Sequence, residues 1–119
     1  MEQSSIVKIL IVDDNKDGAF MLRLLMKTLI SADIRIAFDG TSGIEKVDEF
    51  KPTYVIIDMT LPDISGQEVA QIIKEKYPET TIIGISGFSE EDLSIDKYYF
   101  SEFWTKPILP EKIEVYFAN

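Results

Sequence analysis

The sequence predicts an α/β protein in which a five-stranded parallel sheet carries helices on both faces. Five short segments rich in β-branched or aromatic residues alternate along the chain with five segments whose apolar residues recur at helical spacing. Such alternation is typical of parallel sheets with right-handed crossover connections. The length of 119 residues lies in the usual range for one domain of this class. We therefore expect a single domain over residues 1–119.

The five predicted strands differ in how deeply they are expected to be buried. Residues 6–12 form an uninterrupted apolar run, which is typical of a strand covered on both faces. Residues 33–38 alternate between apolar and polar, which indicates a half-buried strand at an edge of the sheet. Residues 54–57 and 81–85 are again β-branched runs, and residues 102–105 are a short, partly aromatic segment. The runs at residues 6–12 and 54–57 therefore indicate strands that are covered on both faces.

The first two predicted helices have clear start and stop signals. Apolar residues at helical spacing predict a helix from roughly residue 16 to 31, with Asp14 or Asn15 as its N-cap. The second helix opens at Gly40, and Pro52 stops it.

The last three predicted helices follow the same logic. The third begins at Ser65, and Pro78 ends it. A capping-box pattern that starts at Ser89 predicts the fourth helix. The fifth helix has about two turns available after Pro110. The chain after this helix is short, which fits either a stand-alone protein or one part of a longer chain.

Composition narrows the classes of partner and of chemistry. Twelve basic and twenty-one acidic residues leave a formal net charge of −9, which repels nucleic acid and anionic membrane surfaces. The chain has neither cysteine nor histidine, so disulfides, thiolate nucleophiles, histidine triads and zinc sites are excluded. No signal-peptide pattern is present, and no apolar run approaches the ~18 residues of a membrane span. We expect a cytoplasmic protein that binds no nucleic acid and no membrane directly.

Polar residues stand at the predicted carboxyl ends of the central strands, where ligands gather in open α/β sheets. The residues in question are Asp13, Asp14, Asp58, Ser86 and Lys106. Because a strand buried on both faces cannot hide an unpaired carboxylate, we expect Asp58 at an exposed strand mouth. On its own, Asp58 is equally consistent with the start of a turn, since Pro62 and Asp63 follow it. Convergence of all five at one edge favours a functional site.

The chemistry of this set of side chains points to phosphoryl transfer. Three carboxylates at one edge repel each other by roughly 4 kcal/mol per pair at about 4 Å, so a positive charge must compensate them. Oxygen ligands without histidine or cysteine favour a hard cation. A site that has few protein ligands and also binds a phosphate suits Mg²⁺ better than Ca²⁺. Lys106 and Ser86 offer donors to phosphoryl oxygens. Asp58 can act as a nucleophile that forms an aspartyl-phosphate.

These residues resemble the receiver domain of two-component response regulators, and the resemblance covers nearly the whole chain. It rests on a set of residues in a fixed order along the chain, namely Asp13 and Asp14 after the first strand, Asp58 after the third, Pro62 and Gly66 just beyond it, Ser86 after the fourth, and Lys106 and Pro107 after the fifth. The resemblance implies a flavodoxin-like (CheY-like) doubly wound fold with strand order 2-1-3-4-5. It also implies a phospho-acceptor switch and no turnover enzyme.

The resemblance further implies roles for individual residues. Asp58 would accept a phosphoryl group from a sensor histidine kinase or a phosphotransfer protein, with Mg²⁺ as cofactor. Asp14, Asp58 and the backbone carbonyl of Thr60 would ligate the metal, and Asp13 would hold metal-bound water. Ser86 and Lys106 would contact the phosphoryl oxygens and so assist phosphorylation and dephosphorylation. Phe103 matches the switch position that moves together with the serine, and the Lys106–Pro107 bond would be cis.

Three alternatives come from other classes of protein. An EF-hand loop starting at Asp13 needs an acid at its twelfth position, where Leu24 stands. An aspartate-nucleophile phosphohydrolase of the haloacid-dehalogenase type needs a second acid two residues after the nucleophile, where Thr60 stands. A flavin carrier needs a phosphate-binding loop after the first strand, where acids stand instead. An inactive receiver-like interaction module remains a further alternative.

The stretch before the fifth strand departs from the pattern of the resembled family. Residues 96–101 lack the usual small turn residues, so we expect the fourth helix to be short or irregular. Aromatic residues also gather near the 89–119 face, namely Tyr98, Tyr99, Phe100 and Trp104. They fit either the core or a surface that binds a second copy of this chain or an output partner.

Overall fold

The computed structural model describes residues 6–87 and 97–118. In these ranges the chain forms five strands, four α-helices and one 3-10 helix. The strands are β1 (Val7–Val12), β2 (Ala32–Ala37), β3 (Tyr54–Asp58), β4 (Thr81–Ser86) and β5 (Glu102–Thr105). The α-helices are α1 (Lys16–Leu29), α2 (Gly40–Phe50), α3 (Gly66–Lys76) and α4 (Pro110–Phe117).

All five strands pair in parallel in the order β2-β1-β3-β4-β5, so the predicted fold and strand order are confirmed. The edge position predicted for the second strand is also confirmed. The order reverses direction between β1 and β3, which places a crevice at the carboxyl ends of these two strands.

Alternate residues of the central strands fill two cores on opposite faces of the sheet. In β1, Ile9 and Ile11 pack with residues of α1 and α4, whereas Leu10 and Val12 pack with residues of α2 and α3. All four of these side chains are fully buried. Helices therefore cover both faces, as the unbroken apolar run predicted.

Local capping chemistry fixes where the helices begin. Asn15 is the N-cap of α1, and its side-chain oxygen accepts the Gly18 N–H at 2.9 Å. Ser65 and Glu68 form a reciprocal capping box at the start of α3. Helix α2 ends at Phe50, and its C-cap Lys51 adopts a left-handed conformation with φ 53° directly before Pro52.

The extent of one helix differs from the prediction, and another predicted helix is not tested. Helix α1 ends at Leu29, two residues early, because Ile30 has an extended backbone and its N–H still donates to Met26. The helix predicted from Ser89 lies outside the described residues. The described part of residues 96–101 contains the 3-10 helix Lys97–Tyr99. No helix within the described ranges has both the length and the apolar character needed to cross a membrane.

Candidate functional site

The carboxyl edge of the sheet brings the predicted acidic residues together. Carboxylate oxygens of Asp13, Asp14 and Asp58 all lie within 4.8 Å of one another. Backbone hydrogen bonds continue the strand pairing just past the strand ends and hold this edge in place. The Asp13 N–H donates to the carbonyl of Ala37 at 3.0 Å, and the Met59 N–H donates to the carbonyl of Ile85 at 2.9 Å.

Asp58 is held through both of its carboxylate oxygens. Its Oδ2 accepts from Lys106 Nζ at 3.0 Å, and its Oδ1 accepts from the Thr60 N–H at 2.9 Å. Asp58 is the last residue of β3, as predicted, but only 6% of the residue is exposed. The prediction that Asp58 is exposed is therefore wrong. The physical reason is that the two donors cover the carboxylate and compensate its charge, which lets it sit at the strand end without bulk water.

Lys106 bridges two of the three acids. Its ammonium lies 3.0 Å from Asp58 and 3.3 Å from Asp13, and one third of the lysine side chain remains exposed. Burial alone would lower the pKa of Lys106, but the hydrogen bond and charge of Asp58, together with the charge of Asp13, raise it. The lysine is therefore held as a cation at the centre of the acidic group.

The arrangement disfavours the charged form of Asp13. Burial raises the pKa of its carboxyl group, and the neighbouring Asp58 raises it further. The Asn15 N–H, which donates to Asp13 Oδ1 at 3.0 Å, and the charge of Lys106 act in the opposite direction without cancelling the rise. Burial and the neighbouring Asp58 therefore disfavour the charged form of Asp13 more than its two partners favour it.

The loop between β3 and α3, residues 59–65, supplies the backbone donor to Asp58. Gly66 closes this loop, because its N–H donates to the Met59 carbonyl at 3.2 Å. A Cβ atom at position 66 would lie 2.5 Å from the carbonyl oxygen of Asp58 and 2.7 Å from the Cα of Met59. Glycine is therefore required for the start of α3 to approach the strand end so closely.

The predicted switch residues lie on the β4 and β5 side of the site. Ser86 is the last residue of β4 and is 1% exposed, and its carbonyl accepts the Lys106 N–H at 2.7 Å. The Lys106–Pro107 bond is cis. Phe103 is half-buried, and its ring lies over Gly84, where an added Cβ would come within 2.8 Å of the ring. Gly84 thus leaves the space that the aromatic ring occupies.

The site opens to solvent on one side. Asp14 and Thr60 are exposed, in contrast to Asp13 and Asp58. Next to the acids, a groove of about 400 Å³ runs between α1 and the Pro107–Ile108 segment, with Met21 among its lining residues. A reactant can therefore reach the edge of the site without unfolding any strand.

Comparison with known proteins agrees with this geometry. Residues 9–117 of the chain match the response regulator receiver domain family. The chain belongs to this family. Receiver domains are regulatory switches of two-component signalling that take a phosphoryl group onto an aspartate, bind Mg²⁺ in an acidic pocket and interact with sensor histidine kinases.

Individual relatives of this receiver domain include both small and large proteins. The chemotaxis protein CheY of Thermotoga maritima is 31% identical over 111 residues, which cover 89% of this chain and 90% of that protein. The sensor histidine kinase AtsR of Burkholderia thailandensis is 36% identical over 105 residues, which cover 83% of this chain but 17% of the kinase.

Among solved structures, the response regulator protein TrrA of Thermotoga maritima, in complex with Mg²⁺ and BeF, superposes with a TM-score of 0.84. It is 26% identical, and the match covers 95% of this chain and 97% of that one.

Sequence reasoning missed one polar residue beside the site. Asp63 was assigned only to a turn, yet its carboxylate accepts three hydrogen bonds from the first turn of α2. The available signal was the unpaired N–H groups that every helix start offers, since Gly40 and Thr41 stand there in the sequence. What the sequence lacks is any local sign that the loop after β3 passes this helix.

Proposed function

We propose that this receiver domain is a phospho-acceptor switch in which Asp58 takes a phosphoryl group from a sensor histidine kinase or a phosphotransfer protein in an Mg²⁺-dependent reaction. One observation carries the proposal. Lys106 Nζ contacts Asp58 at 3.0 Å inside a group of three carboxylates whose oxygens lie within 4.8 Å of one another. A purely structural aspartate at a strand end needs neither the lysine nor the two other acids.

The donor set fits Mg²⁺. Its side-chain donors are carboxylate oxygens, since the whole chain has no histidine or cysteine, and the three carboxylates lie around the one ammonium group of Lys106. Asp14, Asp58 and the backbone carbonyl of Thr60 would hold the ion, with Asp13 on its water shell. Bound Mg²⁺ neutralises charge on the transferring phosphoryl group.

In the proposed reaction, a carboxylate oxygen of Asp58 forms a bond to phosphorus while the bond from phosphorus to the donor histidine nitrogen breaks. The electron pair of that bond stays with the leaving imidazole. Lys106 is already in contact with Asp58, and its ammonium stabilises the negative oxygens of the transferred group. The hydroxyl of the buried Ser86 donates to the same oxygens. Movement of Ser86 and Phe103 then passes the change to the surface.

The 89–119 face is the proposed output surface of the switch. Tyr98 and Val115 are 84% and 79% exposed in its described part, whereas Trp104 is 1% exposed and belongs to the core. Binding of a second copy or of an output partner through this face therefore depends on the exposed residues. Sedimentation of the protein with and without beryllofluoride tests self-association, and a monomer under both conditions argues against a phosphorylation-induced dimer.

The central experiment is incubation with acetyl phosphate and Mg²⁺, followed by intact mass spectrometry. We expect one added phosphoryl group in the natural protein, and its loss on treatment with hydroxylamine, because an aspartyl-phosphate is an acyl phosphate. The adduct disappears in Asp58→Asn and when EDTA replaces Mg²⁺. Asp33→Asn is the matched control, because it makes the same chemical change on β2, where Asp33 pairs with the exposed Arg35 at 3.5 Å.

Two outcomes contradict the proposal in different ways. Steady release of phosphate from several monoesters, without a stable adduct, identifies a phosphohydrolase. Absence of any adduct, also with phosphohistidine donors, identifies an inactive interaction module.

A further inference from the structure

A side chain outside the acidic group ties the loop of residues 59–65 to a different helix. The carboxylate of Asp63 accepts the Gly40 N–H at 2.8 Å through Oδ1. Its Oδ2 accepts both the N–H and the hydroxyl group of Thr41, at 2.8 and 2.7 Å. These partners are 23 and 22 positions away in sequence, so the three hydrogen bonds join two segments that have no chain connection of their own.

We propose that Asp63 is a positioning residue for the phosphorylation site, which acts by holding the loop that presents the Thr60 N–H to Asp58. The inference rests on the function proposed above, because it concerns the geometry of the same aspartate. Asp63 itself does not contact Asp58, Asp13 or Lys106 in any recorded hydrogen bond or ion pair among the described residues.

Capping of α2 alone does not account for Asp63. This helix already has its own N-cap, since Asp39 Oδ1 accepts the Ser42 N–H and the Ser42 hydroxyl group, both at 2.8 Å. The bonds of Asp39 are local and stay within four residues. Asp63 takes the two earlier N–H groups, those of Gly40 and Thr41. The second carboxylate therefore adds a connection between the helix and the loop, besides saturating donors.

Apolar packing strengthens the same connection. Ile64, the next residue of the loop, lies so close to Gly40 that an added Cβ there would come within 2.5 Å of Ile64 Cγ1. At the other end of the loop, Met59 is held by the Gly66 N–H and by Ile85. The loop is thus anchored at both ends.

The residues between these anchors are those that matter for the proposed reaction. Thr60 lies between Met59 and Asp63, and its N–H binds Asp58 Oδ1 at 2.9 Å. Three residues that span two fixed points have few alternative conformations, so the anchors set the position of the Thr60 backbone. Removal of the Asp63 anchor releases one side of the span. A catalytic constellation loosened by even a fraction of an ångström loses much of its effectiveness.

The test compares two carboxylates at the same helix start. The variants are Asp63→Ala, which removes the tie to the loop, and Asp39→Ala, which removes the local cap and leaves the tie. A milder pair is Thr41→Val, which deletes one of the three hydrogen bonds, and Thr41→Ser, which keeps it. For each variant, the rate of acetyl phosphate labelling is measured against Mg²⁺ concentration, and thermal unfolding is measured in EDTA.

For Asp63→Ala we expect the Mg²⁺ concentration at half-maximal rate to rise about tenfold, as is typical when a support of a metal site is lost. Thr41→Val gives a smaller rise in the same direction, and Thr41→Ser gives none. Asp39→Ala lowers the melting temperature but leaves the Mg²⁺ dependence unchanged. A purely structural role of Asp63 would move the melting temperature alone.

The outcomes separate this inference from the proposed function. If the natural protein is not labelled at Asp58, the proposed function fails and the inference fails with it. If the natural protein is labelled, and Asp63→Ala and Asp39→Ala show the same Mg²⁺ dependence, only the inference is overturned and Asp63 is a second helix cap. Should Asp63→Ala not fold, the Thr41 pair decides, and equal Mg²⁺ dependence of its two members overturns the inference.

Discussion

The two edges of the sheet use cations in opposite ways. At the carboxyl edge, the ammonium of Lys106 lies among three acids and contacts two of them. At the amino edge, Arg35 stacks on the Phe50 ring at 4.1 Å from its centroid, and Lys8 lies 5.3 Å from the same ring. Lys8 Nζ also donates to the Phe50 carbonyl at 3.2 Å. These two cations thus contact an aromatic ring and a carbonyl, and Arg35 also lies 3.5 Å from the partly exposed carboxylate of Asp33.

Apolar packing shows the same division. The rings of Tyr54, Tyr116 and Phe117 meet edge to face near the amino edge, with Tyr54 and Phe117 centroids 4.9 Å apart. Trp104 joins them from β5 at 5.6 Å from Tyr116. Such contacts stabilise the fold without a bound ion or ligand. The carboxyl edge instead concentrates like charges, and their repulsion lowers the stability of the fold unless positive charge compensates it. One edge adds to stability, and the other holds like charges whose repulsion opposes it.

The largest expected effect concerns the aromatic contacts of Trp104. Trp104→Ala removes a ring that is 1% exposed, and we expect the free energy of unfolding to fall by about 3–5 kcal/mol. Urea unfolding followed by circular dichroism measures the loss. Labelling at Asp58 persists at low temperature, because the acids and Lys106 remain in place. Trp104→Phe keeps an aromatic ring and loses less free energy of unfolding. A loss below about 1 kcal/mol for Trp104→Ala would show that the surroundings of Trp104 are poorly packed.

A smaller effect comes from the cation at the carboxyl edge. Lys106→Met leaves Asp13 and Asp58 without their shared partner. In EDTA near pH 8, we expect the variant to lose roughly 1–2 kcal/mol, less than a fully buried pair would lose, since the lysine is one third exposed. Labelling at Asp58 falls as well. Urea unfolding of both proteins measures the difference.

The pH dependence of this loss follows from the direction of the Lys106 shift. The pKa of Lys106 is raised above its ordinary 10.5, so its contribution is complete below pH 10.5 and disappears as the pH rises through the higher folded-state value. The stability gap between the natural protein and Lys106→Met therefore closes only above pH 10.5. A gap that closes between pH 8 and 10 contradicts the assignment of the ammonium as its source.

The opposite sign is expected for an acid at the same edge. Asp13→Asn keeps an oxygen that accepts the Asn15 N–H. It removes a carboxyl group whose pKa is raised by burial. In EDTA at pH 7, we expect the variant to be about 1 kcal/mol more stable than the natural protein. Saturating Mg²⁺ reverses the order, because the natural protein gains more from the ion. Asp33→Asn on the exposed part of β2 is the control and changes little.

The sign at low pH follows from linkage. A carboxyl group with a raised folded-state pKa contributes stability that is complete below its unfolded value of 3.8 and is lost as the pH rises through the folded value. The advantage of Asp13→Asn therefore shrinks as the pH falls toward 3.8. An advantage that grows on acidification would mean that Asp13 is stabilised as a carboxylate.

The sequence predicted the carboxyl edge well because its information is local. The apolar runs that end in Asp13 and Asp58 identify central strands, and parallel strands bring their carboxyl ends to one edge. The alternation in β2 likewise identified the edge strand. Nothing beyond neighbouring residues and general rules of chain topology was needed for these conclusions.

What the sequence did not predict depends on contacts between distant segments. One of the two donors that cover Asp58 is Lys106, which lies 48 positions away, so the residues around Asp58 do not reveal its burial. The tie from Asp63 to α2 requires the relative position of a loop and a helix. The four residues of β5 are too few for alternation to show that Trp104 points into the core while Phe103 lies on the other face.

The smallest effect belongs to the exposed cation at the amino edge, and it sharpens the comparison most. Arg35→Met keeps the apolar stem and removes the guanidinium from the Phe50 ring, so we expect a loss of roughly 0.5 kcal/mol in urea unfolding. Because this edge holds no part of the proposed site, neither Mg²⁺ nor pH between 6 and about 9 alters the loss. Lys106→Met, in contrast, responds to both. If the loss in Arg35→Met also depended on Mg²⁺, the two edges would be coupled through the sheet, and the separation of stability from chemistry would be wrong.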